Sequence, residues 1–232
     1  MKENKEVRIN KYLADKGIST RRGADTLISA GKILINGRKA VLGDKVSPAD
    51  KVEVAGIKED RNLKYFAYNK PLGLETKDIE ERIAEILPEG VNRLFPVGRL
   101  DKDSSGLIIL TNDGRITDRL LNPKSFHEKE YQVVLDHPIT NTILRGLKEG
   151  LSIGGFTARK ALVRKIDAET FDIILTEGQN RQIRRMCRAF SYDVMSLTRF
   201  RVMNILIENQ KQGTLREIKG VELDLFLKSL GL

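Results

Sequence analysis

Over the first quarter of the chain the apolar positions fall at helical spacing. Ile9, Tyr12 and Leu13 share one face, and Gly17 offers a stop. Ser19 or Thr20 can cap a second helix carrying Ala24, Leu27 and Ile28, which ends near Gly31. The period then shortens to Ile33-Leu34-Ile35, an Asn36-Gly37 hairpin turn and a second strand through Val41. Residues 51–54 alternate like a closing strand, and the polar stretch from Gly56 to Asn62 reads as a linker.

Beyond it the two periods intermingle without repeats. Strands are predicted at 64–68, 107–110, 131–135 and 171–175. Helices are predicted at 79–87, stopped by Pro88, and at 116–121, 139–148 and 182–190. There is no regular βαβ winding, so the pattern predicts an α+β fold with a mixed, mainly antiparallel sheet. The expected division is a small module at 1–57, a linker at 58–62 and a larger domain at 63–232.

Composition narrows the possibilities. Of 232 residues, 40% are hydrophobic and 31% charged, ordinary for a folded soluble protein. No apolar run approaches the roughly 18–20 residues of a membrane span, and the N-terminal MKENKEVR lacks the apolar core of a secretory signal. The single Cys187 excludes an internal disulfide and suits a reducing compartment, so a cytoplasmic location is expected. One cysteine and two histidines make a dedicated zinc site a poor expectation.

The net charge of +9 favours a polyanionic partner. Residues 1–57 hold 12 basic against 7 acidic residues, net +5, so the small module is an electrostatic unit of its own. Arg21 and Arg22 open the second helix, where the helix dipole disfavours cations. Docked phosphate would make sense of them; a solubilising surface would do so equally well.

The densest chemistry lies in GRLDKDSSG, residues 98–106. Asp101, Asp103, Ser105 and Gly106 fall at positions one, three, five and six of a calcium loop. Position twelve is Asn112 rather than a bidentate Glu, and the segment after Gly106 is strand-like. A carboxylate on a rigid apolar platform, with Arg99 to orient it, can instead serve as a nucleophile, and Asp101 is the candidate. Arg181, Arg184, Arg185 and Arg188 recur at i, i+3, i+4 and i+7 with Ile183, Met186 and Phe190 as the apolar back. Four arginines without an interleaved acid predict an anionic partner over a solvated face.

Two resemblances sharpen these readings. STRRGADTLISAGKILINGR, residues 19–38, resembles the small RNA-binding module of the S-four type, with arginines opening a helix, a glycine ending it, and a strand leading into Asn-Gly. GRLDKDSSGLIILTNDG, residues 98–114, closely resembles the catalytic motif of the pseudouridine synthases, in their RsuA/RluB/RluE/RluF branch. NKPLG (69–73), HEKEYQVVL (127–135) and EGQNRQIRRMCRAF (177–190) resemble three further family segments, and the last two point to the RluF type.

The resemblance implies a catalytic domain at 63–232 that isomerises specific uridines in 23S ribosomal RNA, needs no cofactor or metal, and acts as a monomer. Alternatives are the same chemistry on 16S ribosomal RNA or a tRNA anticodon arm, or a non-catalytic RNA-binding assembly factor. The last is disfavoured by the retained Asp101, Tyr131 and Arg184. By resemblance Asp101 is the essential carboxylate, Tyr131 stacks on the flipped uracil, Arg184 pairs with the aspartate and Ile183 packs on the base. Arg99, Arg181, Arg185, Arg188, Arg21, Arg22 and Lys70 are expected on the substrate, with a structural role as the alternative for Lys70.

Overall fold

The computed structural model describes residues 6–16, 18–19, 21–55, 63–91 and 94–232. The expected linker at 58–62, the Gly17 stop, the Thr20 cap and the side chain of Arg22 lie outside the described residues.

In the small module, helices Ile9–Asp15 and Arg21–Ser29 pack on an antiparallel sheet of Arg38–Lys39, Ile33–Ile35 and Val52–Val54. Ile9, Leu13, Ala24, Ile28, Ile33 and Ile35 close its core. Asn36 and Gly37 have φ of 50° and 83°, the pair of positive values that a two-residue hairpin turn requires. The second strand stops at Lys39 instead of reaching Val41, whose backbone N–H is captured by the Asp44 carboxylate at 2.9 Å.

The larger unit is built on a nine-stranded sheet. Its path runs Leu162–Lys165, Thr170–Leu175, Lys129–Leu135, Val194–Val202, Ser105–Thr111, Tyr65–Lys70 and Leu215–Glu217. Phe95–Val97 adds to Ser105–Thr111, and Ile205–Leu206 to Val194–Val202. Every pairing is antiparallel except that of Val194–Val202 with Ser105–Thr111.

Alternation along the strands feeds two cores, as pleated strands covered on both faces should. Phe66, Tyr68, Ile108, Leu110, Tyr131 and Val133 join one cluster beneath helices Ile79–Ile83, Asn141–Glu149 and Gln182–Arg188. Tyr65, Ala67, Leu107 and Ile109 join the other, beneath Arg115–Leu121 and Gly220–Ser229. The first strand continues to Lys70 before Pro71 ends it, because Asn69 and Lys70 still pair with Leu107 and Gly106. The helix expected over 79–87 is helical only at Ile79–Ile83, between two 3-10 turns, and Leu87 is already extended ahead of Pro88. Cys187 is fully buried, and burial pushes its thiol up to about 12, as befits a packing residue.

The parallel seam depends on Gly106. Its φ is 107°, and a Cβ there would stand 2.2 Å from the Arg199 carbonyl oxygen. A second close approach joins the two units: a Cβ on Gly114 would meet the Ala14 carbonyl oxygen at 2.1 Å. Lys11 and Arg21 reach Asp118 at 3.1 and 3.5 Å, so the module leans on helix Arg115–Leu121. No described helix is long and apolar enough to cross a membrane.

Candidate active site

A cleft of about 530 Å³ opens where the loop before Ser105–Thr111 meets the loop before Gln182–Arg188. Asp101, Tyr131 and Ile183, far apart in the chain, all line it. Arg99 and Arg181 line it too.

The loop bearing Asp101 is held from several sides. Thr76 is buried beneath it; its hydroxyl donates to the Leu100 carbonyl at 2.7 Å and accepts from the Leu100 N–H at 3.1 Å. The Gly73 N–H donates to the Lys102 carbonyl at 2.9 Å. Lys70 is fully buried, its ammonium donating to the Pro71 and Leu74 carbonyls at 2.9 and 2.7 Å. Desolvation lowers the Lys70 pKa, while the field of Asp103 and Asp101 opposes that shift. A side chain so enclosed cannot reach RNA, so the expected substrate contact from Lys70 is corrected to a support beneath the loop.

Asp103 is the hub of the rim. Arg181 grips it with both terminal nitrogens, at 3.0 and 2.8 Å, and also stands 3.8 Å from Asp101. Arg184 donates to the Asp103 carbonyl at 2.5 Å and the Val194 carbonyl at 2.8 Å, and its Nε lies 3.3 Å from the Asp103 carboxylate without hydrogen-bond alignment. The hydrogen bonds from Arg181, with Arg184 nearby, hold the Asp103 carboxyl below its usual range. The partner expected for Asp101 was Arg184; the cation beside it is Arg181, because Asp103 and two carbonyls occupy Arg184.

Three further expectations change. Arg99 is exposed at the cleft rim and makes no ion pair with Asp101 among the described residues. The four arginines do not form a bare stripe. Arg181 sits before the helix with φ 50°, Arg185 donates to the carbonyls of Ile153 and Gly154 at 2.8 and 3.1 Å, and Arg188 pairs with Asp193 at 2.8 Å. Neither Arg185 nor Arg188 lines the cleft, and the repulsion inferred from sequence is relieved by acceptors, distant in the chain for Arg181 and Arg185 and five residues on for Arg188. Arg21 faces Asp118 rather than the cleft.

Sequence reasoning passed over Lys129 and Arg199, which are buried and also line the cleft. Lys129 stands two residues before Tyr131 on the same strand and so on the same face, a signal the alternation did offer. Arg199 pairs with Tyr131 in register, its guanidinium 6.0 Å from the centre of the tyrosine ring. The loop opposite is fixed by Gln182, which donates to Glu177 at 2.8 Å and accepts from the Gln179 N–H at 3.0 Å.

Comparison with known proteins places these features in context. Residues 64–189 match the family model described as RNA pseudouridylate synthase, and residues 7–52 match the S4 domain. The chain is 42% identical to the dual-specificity RNA pseudouridine synthase RluF of Escherichia coli K12, over 97% of this chain and 80% of that one. It is 34% identical to the ribosomal large subunit pseudouridine synthase B of Bacillus subtilis, covering 91% of each. A solved structure titled as a crystal structure of pseudouridylate synthase superposes with a TM-score of 0.69 at 26% identity, covering 97% of this chain and 99% of that one.

Proposed function

The chain belongs to the RNA pseudouridylate synthase family and carries an S4 domain, and on that premise we propose that it isomerises uridine in large-subunit ribosomal RNA with Asp101 as its essential carboxylate. The observation that carries the reading is the convergence of Asp101, Tyr131 and Ile183 on one cleft. The Bacillus relative, named for the large ribosomal subunit, supports that substrate class. We retain the division into a module at 1–57, a linker at 58–62 and a catalytic domain at 63–232. We also retain a monomer acting in the cytoplasm, with which the free, buried Cys187 accords.

A uridine in a duplex or stacked loop presents neither C1′ nor C5 to a protein, so the base must be flipped out at a cost of a few kcal/mol. Stacking on the Tyr131 ring returns roughly 1–3 kcal/mol of that, and Ile183 closes the apolar side. The N1–C1′ bond then breaks, its electron pair leaving with the base. Asp101 relieves the ribose by bonding to C1′ or by taking the 2′ proton. The freed uracil turns, C5 bonds to C1′ as the Asp101–C1′ bond breaks or the 2′ proton returns from Asp101, the C5 proton departs, and N1 regains a proton. The product is an isomer of the substrate, so the reaction has no net redox change.

Asp101→Asn tests the assignment, because the amide keeps the shape and loses the charge. Tritium release from carbon-5-labelled uridine in ribosomal RNA is expected to stop, while binding at fixed salt persists, since phosphate contacts carry most of the affinity. Substantial turnover by this variant would refute the role of Asp101. Mapping pseudouridines in ribosomal RNA and tRNA from cells with and without the protein decides the substrate class.

A further inference from the structure

Lys129 and Arg199 lie at the floor of the cleft, 8% and 4% exposed. Each makes a hydrogen bond to the protein backbone. Lys129 Nζ donates to the His127 carbonyl at 3.2 Å, and Arg199 Nε to the Leu107 carbonyl at 2.7 Å. Neither has a carboxylate partner among the described residues. Glu177, which lines the same cleft, is taken by the Arg159 N–H at 2.9 Å and by Gln182. Glu130, the next residue on the strand, binds Arg201 at 2.5 Å. The cation beside Asp101 is Arg181.

Burial and the neighbouring positive charge of Arg199 push the Lys129 ammonium down to about 8. Two buried cations of like sign are costly unless an anion completes the group. The described protein does not supply that anion.

We infer that Lys129 and Arg199 form an anion subsite for the detached uracil, holding the negative charge that the base carries between cleavage of N1–C1′ and formation of C5–C1′. This rests on the assignment of Tyr131 as the stacking ring and Asp101 as the carboxylate. Depth chooses the base over a phosphate. The RNA backbone stays at the mouth, where Arg99 and Arg181 are exposed. The two buried cations sit on the strands that carry and flank Tyr131, where the flipped base goes. When the electron pair of N1–C1′ leaves with the uracil, its charge spreads over N1, O2 and O4, so a cleft lined by this ammonium and guanidinium meets charge that the bound substrate lacks. Such donors stabilise the transition state more than the ground state.

The experiment compares Lys129→Met with wild type in single-turnover reactions at saturating RNA, on a uridine substrate and on the same RNA with 5-fluorouridine at the target. Fluorine makes uracil a stronger acid and its anion less dependent on outside stabilisation. On uridine, Lys129→Met is expected to lose about a hundredfold in rate with little change in binding. On 5-fluorouridine the loss of the first step, followed as disappearance of the parent nucleoside, is expected to shrink at least about tenfold. Lys129→Arg is expected to recover part of the rate.

Equal losses on both substrates would overturn the proposal in favour of a structural role, and a loss confined to affinity would overturn it in favour of phosphate binding. Folding is checked by melting. Removal of a buried cation lacking an acid partner is expected to raise the melting temperature, and Lys129→Gln serves as a second neutral variant. Asp101→Asn is run alongside: if it turns over, the catalytic reading itself has failed, whereas an inactive Asp101→Asn beside a fully active Lys129→Met removes only the subsite.

Discussion

At the rim of the cleft and along the helix behind it, every arginine from 181 to 188 has found oxygen. Arg181 and Arg184 close on Asp103, Arg185 on two carbonyls, Arg188 on Asp193. At the floor, Lys129 and Arg199 have one backbone carbonyl each and no acid among the described residues. Both regions are basic, yet the charge does different work. Rim cations are spent on geometry, fixing the loop that presents Asp101 against the helix that presents Ile183. Floor cations remain available to something that arrives. A count of Lys and Arg along the chain gives no sign of this division, because Asp103, the acid that neutralises the rim, comes from another segment.

Removing the hub of the rim should have the larger effect. Asp103→Ala strips Arg181 and Arg184 of their shared carboxylate, and the Asp101 loop loses its tie to helix Gln182–Arg188. Turnover is expected to fall about a hundredfold through misplacement of Asp101, measured by tritium release at saturating RNA. A loss as complete as that of Asp101→Asn would mean that Asp103 itself does chemistry. A loss of less than about threefold would mean the rim is decorative and the contrast with the floor false.

The floor responds to pH. The folded Lys129 titrates near 8, below its ordinary 10.5, so between these values the unfolded chain holds a proton that the folded chain has lost. Unfolding then takes up protons, and stability rises with pH across that window. Below it both states are charged and the burial penalty is felt in full. The melting-temperature advantage of Lys129→Met over wild type should therefore be widest below pH 8 and narrow above it. A gap that does not change between pH 7 and 10 would show that the ammonium is solvated after all.

The last arginine pair of the helix, away from the cleft, should matter least. Arg188 and Asp193 are both largely exposed, and such pairs contribute little. Arg188→Ala is expected to leave turnover within about twofold and the melting temperature nearly unchanged. A strong loss of RNA affinity would return Arg188 to the binding surface.

The clean periods of the chain predicted most of the scaffold. Leu107 to Leu110, Tyr131 to Leu135 and Phe171 to Leu175 are strands with little besides side chains to pack. The family resemblance pointed to Asp101, Tyr131 and Ile183, which do share the cleft. The strand Val194–Val202 escaped notice because Ser196, Thr198, Arg199 and Arg201 interrupt its apolar alternation; Thr198 meets its partner only across the sheet, its hydroxyl 2.9 Å from that of Ser105. Helix Gly220–Ser229, too, was not anticipated from the pattern. The resemblance set Arg184 beside Asp101; that its hydrogen bonds go to the Asp103 and Val194 carbonyls, the first across some eighty residues, leaves no trace in local spacing.

Strand Val194–Val202 lies between the strand leading from Asp101 and the strand carrying Tyr131, yet follows both in the chain. A ribosome making this protein therefore releases Asp101, Tyr131 and the rim arginines before the strand that sets them in register. Until then Ser105–Thr111 and Lys129–Leu135 each present an open edge, the kind of surface that invites wrong pairing and chaperone attention. Closure must also bring Ser105 to Thr198 across 93 residues, a slow, late event in a growing chain. An enzyme wired this way gains its active site in one step, only after Val194–Val202 has been made, and a nascent chain surrounded by ribosomal RNA stays inert until then.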